Sequence, residues 1–107
     1  MNAQLYTYRV LWSEQDQEFV GLCAEFSSLS WLEQDQSAAL KGIVELVAQA
    51  VADMMANGEP VPEPLSLKHY SGKISLRTTP ETHRALAVAA AEQGVSLNRH
   101  INALISG

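Results

Sequence analysis

Residues 71–105, SGKISLRTTPETHRALAVAAAEQGVSLNRHINALI, constrain the chain most. Over residues 72–78, Ile74 and Leu76 alternate with Lys73, Ser75 and Arg77. Successive side chains of a strand face opposite sides, so this pattern predicts one apolar and one polar face. A lone strand of this length cannot satisfy its backbone or bury its apolar side. Pairing with the same strand of a second chain is the economical solution. The resulting two-stranded ribbon would carry lysine, serine and arginine on its outer face. A ribbon of that width fits the DNA major groove.

Two helices are expected next. Thr79-Pro80-Glu81 is a helix start: hydroxyl cap, proline at the first position, acid in the first turn. Leu86, Ala89 and Ala90 form a narrow stripe of mostly small apolar residues. Gly94 closes that helix, Val95 anchors the turn, and Ser96 caps a second helix with Leu97, Ile101, Leu104 and Ile105. The amides near Ser96–Asn98 are a natural phosphate site. Ile74, Leu76, Leu86, Ile101 and Leu104 are the expected dimer core.

This order resembles the ribbon-helix-helix DNA-binding proteins of the Arc and CopG type. The matching pieces are the KISLR strand, the T-P-E helix start and the E-Q-G-V-S-L-N turn. The resemblance implies base reading by Lys73, Ser75 and Arg77, and phosphate binding by Ser96 and Asn98. Thr78 stands where that family often has a larger apolar residue.

Charge separates the two halves. Residues 1–68 hold three Lys/Arg against ten Asp/Glu, a net −7. Residues 69–107 hold four against two, a net +2. A basic segment following an acidic one is expected where a nucleic-acid module is joined to something else. The 39 C-terminal residues are too few to be stable alone, and dimerisation would supply the missing burial.

The N-terminal part reads as a small α+β domain. Leu5–Trp12 alternates as a strand, Ser13–Gln17 (SEQDQ) is a hairpin loop, and Glu18–Glu25 is a second strand. Phe19, Leu22 and Cys23 are its expected buried positions, and Gly21 marks a close approach or a bulge. Leu29–Leu32 is a short third strand, giving an antiparallel meander. Asp35 caps a long helix whose apolar face comprises Leu40, Ile43, Val44, Val47, Ala50, Val51, Met54 and Met55. Asn57-Gly58 stops it. Prolines 60, 62 and 64 then force an extended path. The expected organisation is an N-terminal domain over residues 1–64, a linker over 65–71 and a C-terminal domain over 72–107.

Hairpin, short strand, long helix and GEPVPEP together resemble the HicB family of antitoxins. The carrying stretches are YTYRVLWSEQDQEFVGLCAEF, AALKGIVELVAQAVADMMANGEP and PVPEP. The resemblance implies an N-terminal fold like a truncated RNase H domain, followed by a ribbon-helix-helix or helix-turn-helix module. It implies an antitoxin that masks a HicA toxin, a small basic mRNA-cleaving ribonuclease, and represses its own operon as a dimer on operator DNA. The acidic N-terminal part suits a basic partner. Asp16, Glu18, Glu25 and Trp31 are the expected toxin contacts. Family members often carry a Pro-Asp-Leu-Pro-Gly-Cys type turn after the second strand, where this chain has Ala24–Ser30.

No catalysis is expected. Of the acids available to a metal-dependent nuclease, Asp16, Glu18, Glu25 and Glu33, nothing in the spacing brings a set together. His69, His83 and His100 are scattered and remote from the single cysteine, Cys23, so neither a metal nor a cofactor is expected. His83 and His100 read as helix-surface or dimer-interface residues. The start MNAQLYTYRV is unlike a signal peptide, and the chain reads as cytoplasmic. Two rivals remain: a stand-alone regulator with a ligand-sensing N-terminal domain, and a residual hydrolase of the RNase H type.

Overall fold

The computed structural model describes residues 2–107. It divides into two units, residues 1–70 and 71–107.

The first unit holds a three-stranded antiparallel sheet in sequence order: β1 (Tyr8–Ser13), β2 (Glu18–Cys23) and β3 (Ser30–Glu33). Register is set by Val10 opposite Gly21 and Gly21 opposite Trp31. Helix α1 (Gln36–Ala56) follows, with the Asp35 side chain accepting from the Ala38 N–H at 3.1 Å. Its C-terminus is a Schellman turn. Glu59 N–H bonds Met54 O, Gly58 N–H bonds Met55 O, and Gly58 takes φ +69°, which glycine adopts without strain.

The sheet and α1 meet at two glycines. A Cβ at Gly21 would lie 2.6 Å from Ala39 O, and one at Gly42 would collide with the Trp31 indole. Each glycine therefore lets a helix and a strand approach closely, as expected for Gly21. The core is Tyr6, Cys23, Ile43, Val47 and Val51, with Phe26, Leu29 and Val61 packed against it.

Beyond one-residue shifts such as that of the third strand, two strand boundaries and the apolar face of α1 differ from the sequence reading. The first strand begins at Tyr8, not Leu5, because Ala3–Leu5 forms a 3-10 turn. Tyr6 leaves the ladder to bury its ring, edge-on to Phe26 at 5.2 Å, and its hydroxyl donates to Pro62 O at 2.7 Å. The second strand ends at Cys23, where the chain turns. On α1, Leu40 and Met55 are exposed, because contact narrows to Ala39, Gly42, Ile43, Val47 and Val51 over only three strands.

The segment after α1 also packs. Pro64 is buried, Leu65–Leu67 forms a 3-10 turn, and Ser66 Oγ donates to Leu5 O at 2.6 Å. The residues read as the start of a linker, 65–70, thus belong to the first unit.

In the second unit, α2 (Pro80–Glu92) starts at Thr79, whose Oγ1 accepts from Thr82 N–H at 3.2 Å. It ends in a second Schellman turn, with Val95 N–H on Ala90 O, Gly94 N–H on Ala91 O and Gly94 at φ +68°. Helix α3 (Leu97–Ser106) starts at Ser96, whose Oγ accepts from Arg99 N–H at 3.1 Å. Both starts and the intervening turn fall where the sequence puts them. The strand over 72–78 does not form: residues 73–79 carry no assigned secondary structure. Its ladder needs a second strand, and this single chain offers it none.

The fold is thus α+β, with a three-stranded antiparallel sheet and three α-helices. Gly21→Ala is expected to lower stability by about 2 kcal/mol, since its Cβ meets backbone that cannot rotate away. Urea unfolding of the full chain measures this; an unchanged midpoint would show that the helix can lift at no cost.

Candidate partner and nucleic-acid surfaces

The second unit buries little of its apolar surface. Only Ala90 and His100 are buried. Ile74 is 82% exposed, Leu76 69% and Leu104 60%. Leu76, Leu86, Leu97 and Ile101 line one open hollow of about 370 Å³ with Arg77, Thr78 and His83. Three residues of the expected dimer core, Leu76, Leu86 and Ile101, thus come together. Ile74 and Leu104 are not among that lining.

Lys73, Ser75 and Arg77 are all exposed on the same unpaired segment. Ser96 and Asn98 stand at the start of α3. The Ser96 hydroxyl is taken by Arg99 N–H, and the Asn98 carbonyl accepts from Asn102 Nδ2 at 2.9 Å. Any α-helix leaves its earliest amides without intrahelical partners, here those of Leu97 and Asn98. That is the geometry suited to a phosphate oxygen.

The histidines separate. His83 lines the hollow, as a surface or interface residue would. His100 is instead buried, its Nδ1 3.3 Å from Gln93 Oε1. Its position one turn into α3 aims it back at the end of α2.

The expected toxin contacts do not form one cluster. Asp16 sits in the β1–β2 turn, accepting from Ser13 Oγ at 2.8 Å, and Glu18 begins β2 beside it. Trp31 lies against Gly42, its Nε1–H donating to Glu33 Oε2 at 2.8 Å. Glu25 is past the other end of β2. Among the described residues no group of three or more His, Cys, Asp and Glu could hold a metal. Among the described residues no helix is long and apolar enough to cross a membrane.

Glu25 has a structural role that the sequence reading missed. Its carboxylate accepts from Thr7 N–H at 3.0 and 3.2 Å, from Thr7 Oγ1 at 3.0 Å and from Leu65 N–H at 2.9 Å. The Cys23 thiol lies 3.5 Å away. Burial pushes the Glu25 pKa upward, but the hydrogen bonds from Leu65 and Thr7 outweigh it and hold the carboxyl at about 2. Burial also raises the Cys23 thiol, and it pushes Tyr8 to about 12. Glu25 therefore ties the start of the sheet to the segment beyond α1. Its partners stand 18 and 40 residues away, so no local pattern marks it.

The folded pKa lies below the ordinary carboxylate value of 4.5. The clasp therefore contributes stability that is present above about pH 5 and is lost as pH falls toward 2. Glu25→Gln should cost about 1–2 kcal/mol at neutral pH and little near pH 2, flattening the acid limb. Thermal melts followed by circular dichroism across that range measure it; parallel curves for parent and variant would contradict the clasp.

Comparison with known proteins bears on the second half. Residues 56–105 match the model of the HicB family, just under half of the chain. The matched stretch runs from the end of α1 through the proline segment and α2 into α3, and excludes the sheet. No curated protein and no solved structure matches the chain. Over residues 56–105 the chain is therefore similar to the HicB family.

Proposed function

We propose that the chain is the antitoxin of a HicA–HicB type pair. In this reading it works without catalysis of its own, as a dimer joined through its second unit, and carries a ribbon-helix-helix module on operator DNA. One observation carries the DNA-binding part. Ile74 and Leu76 are exposed on an unpaired segment directly before two well-capped helices, within the stretch that matches the family. Pairing two such segments satisfies their backbone and covers both apolar side chains. The same alternation turns Lys73, Ser75 and Arg77 outward together. Arginine can take guanine O6 and N7 bidentately, lysine can do so or hold phosphate, and serine can bond either. The amides opening α3 would fix the backbone.

The first unit would take the toxin. Its net charge of −7 favours a small basic ribonuclease and competes with RNA for the same cationic surface. The operon would be silenced while antitoxin is abundant.

Arg77→Ala should weaken binding to the DNA upstream of the operon by about 10–100-fold, the equivalent of one lost base contact. Fluorescence anisotropy at fixed salt measures it, and toxin neutralisation in cells should be unchanged. Undiminished DNA affinity would reject the ribbon as the reading surface. Loss of neutralisation with DNA binding intact would reverse the assignment of the two units.

A further inference from the structure

The sheet of the first unit has two faces, and α1 covers one. Tyr8, Val10, Trp12, Phe19, Gly21, Cys23, Trp31 and Glu33 share the helix side, because register partners lie on the same face. The other face carries three cross-strand rows. The middle row is Leu11, Val20 and Leu32, in direct register. On one side of it lie Arg9, Leu22 and Ser30, and on the other Ser13 and Glu18. Leu11 is 40% exposed and Leu32 41%. This apolar stripe is therefore open within the unit, with a cation on one side and an acid on the other.

We propose that this face packs against the same face of a second copy of the chain. Charge selects the occupant. Arg9 is the single Lys/Arg among residues 1–40, against six Asp/Glu. A basic partner would be repelled by Arg9 beside the stripe. A second copy would supply an acid to it. Charge also selects the orientation. A two-fold axis running across the strands along the Leu11–Val20–Leu32 row sets that row on its own copy. It brings Arg9 over the partner's Ser13, with the partner's Glu18 about 4.8 Å to the side, within reach of the arginine side chain. An axis along the strands would set Arg9 over the partner's Ser30 and pair no charge.

The same operation brings the partner's β1–β2 turn, with Asp16, over the far end of the face. A hollow of about 340 Å³ lies there, lined by Thr7, Arg9, Leu22 and Ser27 among others. Sheets packed face to face in this way adopt the aligned arrangement of sandwiches.

Area sets the condition. A face of two six-residue strands and one of four covers about 250 Å². A stable interface needs about 800 Å² per partner. The contact is therefore too small to hold two free copies, and it rests on the joining of second units proposed above, which raises the local concentration.

The test uses the full chain. The parent carries only Cys23, which is buried, so its cross-linking is a baseline. Leu11→Cys lies near the axis and should form an interchain disulfide under mild oxidation at least fivefold faster than Leu40→Cys, an exposed position on α1. Arg9→Glu and Glu18→Arg, each added to Leu11→Cys, should slow it at least fivefold, and the two together should restore it. A chain that is dimeric by light scattering but cross-links equally slowly at both positions overturns the sheet contact alone. A monomeric chain overturns the joining of the second units as well. Slow cross-linking of Leu11→Cys with a different protein co-purifying and shielding that thiol from alkylation overturns the choice of occupant. Failure of the double charge swap to restore the rate overturns the orientation.

Discussion

The second unit turns on the unmet backbone hydrogen bonds of residues 74–78. A segment of alternating apolar and polar residues has its side chains arranged for a sheet, yet it has no ladder within the chain. Only its two ends are bonded, the Lys73 N–H to Ser71 Oγ and the Thr79 carbonyl by His83 N–H, and Ile74 and Leu76 remain exposed. The cost falls on a unit with little to offset it. Helices α2 and α3 are well capped at both starts and at the turn between them, so their local structure is secure. Caps do not bury apolar area, however, and Leu76, Leu86, Leu97 and Ile101 are left around an open hollow. Completion by a second copy would resolve the backbone and the hollow together. It would also place the three polar side chains of the segment where a groove can receive them.

The first unit solves the opposite problem. Its sheet is small, but two glycines let α1 approach it closely, and long-range hydrogen bonds draw in the segment beyond the helix. Tyr6 to Pro62, Ser66 to Leu5 and Leu65 to Glu25 hold residues 62–66 onto the sheet domain. A proline-rich stretch held in this way is part of a domain rather than a free tether. Glu25 is the most connected of these groups, and its ionised state is what its partners stabilise.

Local chemistry was legible in the sequence where a few adjacent residues decide the structure. Thr79-Pro80, Gly94 and Ser96 bound the last two helices where the pattern puts them, and Asp35 and Gly58 bound α1. Gly21 announced a close approach or a bulge, and Ala39 and Ile43 show the close approach. What the sequence concealed lies in long-range contact. Tyr6 reads as a strand residue by alternation, but its ring and hydroxyl find Phe26 and Pro62 instead. Glu25 reads as one more surface acid until Thr7 and Leu65 are placed beside it. His100 reads as a helix-surface or dimer-interface residue until α3 folds back and Gln93 meets it. The exposed face of Leu11, Val20 and Leu32 could be inferred only once the register was fixed. Trp31, singled out as a partner contact, spends one side of its indole on Gly42.

The central claim is that residues 72–78 become a strand by pairing with a second copy. Hydrogen–deuterium exchange of these amides, followed as the full chain is diluted, tests it most directly. The account predicts protection at every second residue at concentrations where the chain is dimeric, lost on dilution to the monomer. Rapid exchange throughout the segment at all concentrations, in a chain that is dimeric by mass, would contradict it.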